Sequence, residues 1–145
     1  MATLNVAGLQ EHTMETLRLA LALRGVRVCA LQEVGWQGYS ALHLPDGWEL
    51  VCSGPAAGRT HCRGVALMFD PMMAAAVTEM TPSPACPDRL LLARLRLGGE
   101  AVSVVAAYAP VNAPHNAEQR QQFWQALGSL LASLPAGTGC WCWVT

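Results

Sequence analysis

Polar residues stand at the ends of two predicted strands, where their side chains can hold a ligand. Asn5 lies near the end of a first short apolar run, and Glu33 lies near the end of a second, in Leu-Gln-Glu-Val. The carboxyl ends of neighbouring parallel strands meet at one edge of a sheet, which is where open sheets bind ligands. A carboxylate and an amide at that edge indicate a polar binding site. Taken singly, Glu33 also fits a solvated strand-end charge, and Asn5 also fits a turn former.

A second polar pair closes the last clear strand. Tyr108 opens the sequence Tyr-Ala-Pro, and Asn112 follows soon after it. A tyrosine hydroxyl and an asparagine amide are suitable donors to a phosphate oxygen, and phosphoryl chemistry depends on such positioned groups. The alternative is structural: Pro110 ends the strand and Asn112 starts a turn.

The hydrophobic pattern predicts the elements that position the first pair. Ala2–Val6 alternates apolar and polar residues as a strand does, and Arg27–Val34 is a second strand with an apolar centre. Between them, Thr13 caps a helix that Gly25 ends. A strand, a helix and a strand within about thirty residues form a βαβ unit, whose strands run parallel. The two polar strand ends are therefore expected side by side.

The remainder of the chain predicts more strands and one long helix. The further β-like runs are Trp48–Ser53, Gly64–Asp70, Ala74–Thr81, Arg89–Leu97 and Ala101–Ala109. Gly98-Gly99 joins the last two and predicts a hairpin turn. Asn116 caps the helix, whose predicted buried face contains Phe123, Trp124, Leu127, Leu130, Leu131 and Leu134. We expect one α+β domain, in which sheets pack face to face and helices lie outside.

Composition narrows the class of protein. Hydrophobic residues make up 52% of the chain and charged residues 13%, which is typical of a globular domain with a large core. The net charge of -1 argues neither for nor against a nucleic-acid partner, although a dedicated phosphate-backbone binder is usually clearly basic. The six cysteines show no C-x-x-C spacing, which argues against a zinc site. With no signal peptide or bilayer-spanning run, we expect an intracellular protein, nuclear or cytoplasmic, without a membrane partner.

Several motifs, in their order and spacing, resemble those of a known superfamily. They are Leu-Asn-x-x-Gly-Leu, Leu-Gln-Glu, Gly-Val-Ala-Leu and Tyr-Ala-Pro, followed by a helix beginning near Ala-Glu-Gln-Arg-x-x-Phe-Trp. This set resembles the DNase I-like endonuclease/exonuclease/phosphatase superfamily, and within it the apurinic-type endonuclease domain of LINE retrotransposons. The resemblance implies a four-layer α/β sandwich of two packed mixed β-sheets flanked by helices. It also implies Mg²⁺-dependent hydrolysis of DNA, and a reverse-transcriptase region as partner in a full-length parent.

The resemblance also implies a role for each candidate site residue. Glu33 would be the carboxylate ligand of Mg²⁺, a cation that prefers oxygen. Asn5 would hold the metal–phosphate arrangement through its amide, and Tyr108 would hydrogen-bond the scissile phosphate. Asn112 would be a further amide at the site, although Val111 separates it from the Tyr-Ala-Pro proline, which the Asn directly follows in many relatives.

The resemblance further implies that residues 1–145 form a partial domain. The family continues into a strand with Gly-Asp-Phe-Asn and ends near an Asp-His pair, whereas this sequence reads Gly-Cys-Trp-Cys-Trp-Val-Thr. We therefore expect a sandwich that is incomplete at its C-terminus, with weak or absent Mg²⁺ binding and no nuclease activity. Two alternatives stay open, a non-catalytic remnant or interaction module and, on weaker grounds, a phosphatase of the same superfamily.

The last six residues also predict a change of reading frame. Residues 140–145 can be encoded as TGC TGG TGC TGG GTG ACT. Reading that string from its third nucleotide gives Leu-Val-Leu-Gly-Asp, an apolar strand followed by the first half of the expected motif. The nucleotide sequence of the locus tests this expectation, because the shifted frame must continue with Phe-Asn.

Overall fold

The computed structural model describes residues 1–56 and 63–144, and strands dominate this part of the chain. The strands are β1 (Ala2–Asn5), β2 (Val28–Gln32), β3 (Tyr39–His43), β4 (Glu49–Ser53), β5 (Val65–Phe69), β6 (Val77–Pro82), β7 (Leu90–Leu97), β8 (Glu100–Ala107) and β9 (Gly139–Val144). The α-helices are α1 (Glu11–Leu23), α2 (Pro71–Ala76) and α3 (Ala117–Ala132). None of the helices in these two ranges has both the length and the hydropathy needed to cross a membrane.

The strands form two mixed sheets. Sheet A has the order β1-β2-β5-β4-β3, with β1 and β2 parallel and the other neighbours antiparallel. Sheet B has the order β6-β7-β8-β9, with only β8 and β9 parallel. The two sheets pack face to face with α1 and α3 outside them, and α2 packs against the central layer through Met73. The predicted four-layer α/β sandwich is therefore confirmed.

Three buried apolar clusters hold the layers together. The central cluster lies between the sheets and joins residues such as Phe69 of β5 and Leu91 of β7. A second cluster packs α1, through Leu21, onto the outer face of sheet A. A third packs α3, through Phe123 and Leu127, onto the outer face of sheet B. Because side chains of a strand point alternately to opposite faces, each central strand contributes to two clusters, and β2 and β5 are buried throughout.

Two local predictions that position the candidate site are confirmed. The first strand, helix and strand form a βαβ unit, in which Asn5 pairs with Gln32 in parallel register. Gly98-Gly99 forms the hairpin turn between β7 and β8, with Leu97 paired to Glu100. Both glycines have positive φ, 58° and 91°, which a two-residue hairpin turn of this kind requires.

Several element boundaries differ from the prediction. The N-cap residue of α1 is Gln10 and not Thr13. The Thr13 side chain accepts a hydrogen bond from the Gln10 backbone amide and so forms part of a capping box. Residues 74–76 belong to α2 rather than to a strand, because the Asp70 carboxylate accepts a hydrogen bond from the Met73 amide at 2.8 Å and starts a helix. Strands β3 and β9 were not predicted. Asn116 precedes α3, but its side chain makes no capping hydrogen bond.

The buried face of α3 is narrower than predicted. Phe123 is 0% exposed and Leu127 is 5% exposed, whereas Trp124 is 53% exposed and Leu131 is 37% exposed. Successive helical residues are rotated by about 100°, so Trp124 lies well away from the direction in which Phe123 meets sheet B. The prediction that Trp124 and Leu131 are buried is therefore wrong. Only the narrow face of α3 that contains Phe123 and Leu127 packs on sheet B.

Candidate functional site

Three polar residues that follow or end strands meet at one rim of the sandwich. Asn5 is the last residue of β1, Glu33 follows β2 and Tyr108 follows β8. The Asn5 Nδ2 donates to Glu33 Oε1 at 2.7 Å, and the Tyr108 hydroxyl donates to the same oxygen at 2.8 Å. Asn5 and Glu33 lie at the ends of sheet A strands, and Tyr108 lies at the end of a sheet B strand. The group therefore bridges the two sheets.

The Asn5 side chain is oriented by its own backbone. Its Oδ1 accepts a hydrogen bond from the Ala7 amide at 3.1 Å, in the first turn after β1. An asparagine side chain has one carbonyl and one NH₂ group, so binding the carbonyl to the backbone leaves the NH₂ group to face Glu33. The turn thus determines which end of the amide meets the carboxylate.

Glu33 has an unusual backbone conformation. Its φ is 57°, in the left-handed region that residues other than glycine seldom adopt. Such a conformation costs about 1–3 kcal/mol and persists only where neighbouring contacts hold it. Here the Gly8 amide donates to the Glu33 carbonyl at 2.7 Å, and the buried Gln32 amide donates to Thr3 Oγ1 at 2.9 Å. One of these contacts joins β1 to β2 and the other joins the turn after β1 to Glu33, and together they hold Glu33 at the end of β2.

Arg89, immediately before β7, is a site contact that was not predicted from the sequence. Its guanidinium lies 5.2 Å from the centroid of the Tyr108 ring, within the range of a cation–π interaction. Its Nη1 donates to the Tyr108 carbonyl at 3.1 Å, and the residue is 8% exposed. Burial, and after it the charge of Arg63, lowers the pKa of Arg89. A buried positive charge therefore lies under the tyrosine ring.

Asn112 is not part of this hydrogen-bonded group. It lies in the exposed loop between Tyr108 and α3. Within residues 1–56 and 63–144, its side chain forms no hydrogen bond. The geometry therefore joins three of the four candidate residues, and the roles suggested for all four stay predictions.

Solved structures share this architecture, although no protein-family model matches the sequence and no curated protein matches it. The AP endonuclease LMAP from Leishmania major is 16% identical with a TM-score of 0.62, over 89% of this chain and 46% of its own. An endonuclease/exonuclease/phosphatase family protein from Leptotrichia buccalis C-1013-b is 16% identical with a TM-score of 0.60, over 94% and 63%. The chain has the DNase I-like fold.

A retrotransposon domain is also similar to this DNase I-like chain. The endonuclease domain of TRAS1, a telomere-specific non-LTR retrotransposon, is 12% identical with a TM-score of 0.55. That match covers 97% of this chain and 56% of the TRAS1 chain. The DNase I-like chain thus spans between 46% and 63% of the length of these three structures.

The hydrogen bonds set the protonation states at the rim of this DNase I-like chain. The bond from Asn5, and then the bond from Tyr108, lowers the pKa of Glu33 against a smaller opposing effect of burial. Burial, followed by the hydrogen bond to Glu33 and its charge, raises the pKa of Tyr108. At neutral pH the site therefore holds a carboxylate and a neutral hydroxyl donor.

Acid titration should show the contribution of Glu33 to stability. Because its folded pKa is lowered, its contribution is complete above the unfolded value of about 4.3 and is lost as pH falls through the folded pKa. We expect the difference in unfolding free energy between wild type and Glu33→Gln to be constant at neutral pH and to shrink below about pH 4.3. Urea unfolding at a series of pH values measures it.

The matched control for this titration is Glu100→Gln, which removes one carboxylate from the β7–β8 turn, away from the rim. The pH dependence of its unfolding free energy shows the effect of losing one negative charge away from the rim, and this effect is subtracted from the Glu33→Gln result. A Glu33→Gln difference that stays the same from neutral to acid pH would contradict the inferred hydrogen bonding.

The oxygen atoms at this rim fit one hydrated divalent cation held by a single carboxylate. Glu33 Oε1 accepts both hydrogen bonds, and no described residue donates to Oε2, which remains available as a ligand. Carboxylate oxygen suits Mg²⁺, which usually keeps several waters and takes only one or two carboxylates from the protein. The described side chains contain no group of three or more His, Cys, Asp or Glu that would form a full metal cage.

Proposed function

We propose that this chain carries the metal-anchoring and phosphate-positioning part of a Mg²⁺-dependent DNA endonuclease centre of retroelement type. The observation that carries the proposal is the convergence of Asn5, Glu33 and Tyr108 on one oxygen atom at the rim of a DNase I-like sandwich. Support comes from the names of similar structures, which include an AP endonuclease and a retrotransposon endonuclease domain.

In this proposal each residue has a distinct task. Glu33 holds the cation through Oε2, and Asn5 keeps the carboxylate oriented through Oε1. On DNA binding, the Tyr108 hydroxyl redirects its single hydrogen bond from Glu33 to a phosphate oxygen, and the Arg89 guanidinium beneath its ring favours the phosphate's negative charge. Asn112, in the adjoining loop, supplies a further amide donor. When bound, the cation neutralises phosphate charge and activates a water for in-line attack.

The sequence around the site favours DNA over the phosphorylated small molecules of the phosphatase alternative. Gly-Val-Ala-Leu spans the start of β5, and Tyr-Ala-Pro precedes the long helix α3, as in the nucleic-acid branch of the superfamily. A single carboxylate holds the cation weakly, which favours binding of DNA over rapid cleavage. The proposal therefore also accommodates a non-catalytic domain that binds DNA. Partnership with a reverse-transcriptase region belongs to this proposed retroelement origin.

Metal-dependent DNA binding tests the proposal. We expect Mg²⁺, compared with EDTA, to tighten binding of a fluorescent duplex containing an abasic-site analogue by about tenfold, which corresponds to about 1.4 kcal/mol. Fluorescence anisotropy measures the affinity, with salt held constant because phosphate contacts are screened. Glu33→Gln should remove the Mg²⁺ effect, and Tyr108→Phe should weaken binding in Mg²⁺.

Glu100→Gln is again the matched control, since it removes a carboxylate distant from the rim. It should retain the Mg²⁺ effect of the wild type. If the DNA affinity were the same in Mg²⁺ and in EDTA, the proposed role of the rim would be contradicted. The same would hold if the Mg²⁺ effect were unchanged in Glu33→Gln.

A further inference from the structure

Hydrogen bonds between the two sheets are concentrated at the end of the sandwich that carries the rim. Among the described residues, the side-chain hydrogen bonds that cross from one sheet's part of the chain to the other's are Tyr108 to Glu33 and Ser53 to the Pro87 carbonyl. Most of the contact between the sheets is apolar, through the central cluster. Apolar packing is non-directional, whereas a hydrogen bond has a preferred distance and angle. The contacts that can fix the position of one sheet on the other therefore lie at the rim.

Ser53 lies in line with the rim residues of sheet A. It is the last residue of β4 and pairs with Val65 of β5. Val65 pairs in turn with Gln32 of β2, and Gln32 pairs with Asn5 of β1. Paired residues on neighbouring strands point to the same face of a sheet, and Val65 belongs to the central cluster. The Ser53 side chain therefore points toward sheet B, in the row of residues that ends at Asn5.

The Ser53 hydroxyl holds the loop that precedes β7. Ser53 is 1% exposed, and its Oγ donates to the Pro87 carbonyl at 2.5 Å. An ion pair supports the same loop, since Arg63 Nη1 lies 3.7 Å from Asp88 Oδ2. Loss of the hydroxyl would leave the Pro87 carbonyl without this donor. The loop is therefore tied to the end of β4 by a short, buried hydrogen bond.

The same loop is connected to Tyr108 through Arg89, which follows Pro87 by two residues. The Arg89 carbonyl accepts a hydrogen bond from the Tyr108 amide at 2.9 Å, and Arg89 Nη1 donates to the Tyr108 carbonyl at 3.1 Å. Arg89 and Tyr108 are thus held together at both backbone and side chain. A displacement of the loop at Pro87 would therefore change the position of the Tyr108 hydroxyl relative to Glu33.

We propose that Ser53 is a positioning residue of the rim, which sets the distance between the Glu33 carboxylate and the Tyr108 hydroxyl. The inference rests on the proposed function, in which these two groups hold a cation and a phosphate of the same DNA. Groups that act on one ligand must be held within about 0.5 Å of their working geometry. Ser53 acts through the Pro87 carbonyl and the Arg89–Tyr108 contacts.

The ¹³Cζ resonance of Tyr108 tests this geometry in the full chain, without DNA or metal. The chain contains two tyrosines, so Tyr39→Phe leaves Tyr108 as the single labelled site. In that background, Glu33→Gln shows how the resonance moves when the carboxylate acceptor is replaced. Ser53→Ala should move it in the same direction and at least half as far. Ser103→Ala is the matched control and should leave it unchanged, because Ser103 is also buried in a strand but its hydroxyl has no partner among the described residues.

DNA affinity in Mg²⁺ provides a second measurement, which depends on the proposed function. The factor by which Tyr108→Phe weakens binding should fall to less than half in a Ser53→Ala background and stay the same in a Ser103→Ala background. A Tyr108→Phe factor that is unchanged by Ser53→Ala would overturn the inference.

The resonance of Tyr108 decides the matter separately from DNA binding. A serine with a purely structural role would lower the Tm of Ser53→Ala without moving this resonance, and that result would overturn the inference. So would an equal movement of the resonance in Ser53→Ala and Ser103→Ala. Failure of the proposed function alone would instead remove the Mg²⁺ effect from the wild type, while the resonance would still distinguish the two serine variants.

Discussion

The 145-residue chain is expected to nick supercoiled plasmid in Mg²⁺ no faster than its Glu33→Ala variant. The side chains that hydrogen-bond Glu33 are Asn5 and Tyr108, neither of which is a carboxylate or an imidazole. Mg²⁺ gives up its waters reluctantly, so one carboxylate holds it weakly in the absence of other oxygens. General acid–base catalysis typically contributes 10²–10⁴-fold. Neither the Asn5 amide nor the Tyr108 hydroxyl, whose raised pKa keeps it protonated, can take a proton from an attacking water.

Conversion of supercoiled plasmid to the open circle measures nicking, with EDTA as the blank. The comparison is a chain in which the residues from position 140 onward are replaced by the predicted continuation Leu-Val-Leu-Gly-Asp and by whatever follows it in that frame at the locus. If that frame supplies Phe-Asn and the later acidic and histidine residues, the extended chain should nick and its own Glu33→Ala variant should not. Mg²⁺-dependent nicking by the 145-residue chain, abolished by Glu33→Ala, would show that its residues suffice for catalysis.

Replacing Phe123 by alanine is expected to lower the free energy of unfolding by about 3–5 kcal/mol, a value typical of a buried aromatic side chain. Phe123 is 0% exposed and joins α3 to the outer face of sheet B. The adjacent Trp124 is 53% exposed, so Trp124→Ala should cost less than about 1 kcal/mol. Urea unfolding followed by circular dichroism measures both losses.

The two neighbouring aromatic residues form a matched pair, since each loses a large ring from the same turn of α3. Where Phe123→Ala is too unstable to fold, Phe123→Leu should still fold, because it keeps most of the apolar volume. Equal losses at positions 123 and 124 would mean that α3 meets sheet B through a different face.

The βαβ unit could be predicted because the residue patterns that define its two strands and its helix lie within one short stretch of sequence. Alternating residues in β1 and an apolar centre in β2 have different periodicities from the helix between them. The parallel arrangement then brings Asn5 and Glu33 to one edge without further information. Predicting the position of Tyr108 needed two pieces of information. One was the strand end at Tyr-Ala-Pro, and the other was the packing of sheet B on sheet A, which the resemblance implied.

Other features depend on contacts that a pattern of residue types does not contain. Arg89 lies beside Tyr108 because the β7–β8 ladder continues past the Leu90–Ala107 pair, where the Tyr108 amide donates to the Arg89 carbonyl at 2.9 Å. In sequence, Arg89 resembles an ordinary charge before a strand. The Asp70-Pro71 pair does carry a local helix signal, since a capping aspartate with proline at the first helical position is favourable. The stretch behind it, Ala74–Thr81, is a short run rich in alanine between turn-forming residues, and this composition predicts a strand.

The order of strands along the chain has a consequence for how the rim is assembled during synthesis. Sheet A uses only strands from the first 69 residues, and sheet B uses only strands that begin at residue 77 or later. During translation, Asn5 and Glu33 therefore emerge with a complete set of partner strands before any strand of sheet B exists. The Tyr108–Glu33 hydrogen bond joins residues 75 positions apart, and it closes only when the second sheet docks on the first. Formation of that hydrogen bond is accordingly a marker of late folding. In a ribosome-bound chain stalled before β8, the Glu33 carboxylate has only its Asn5 partner.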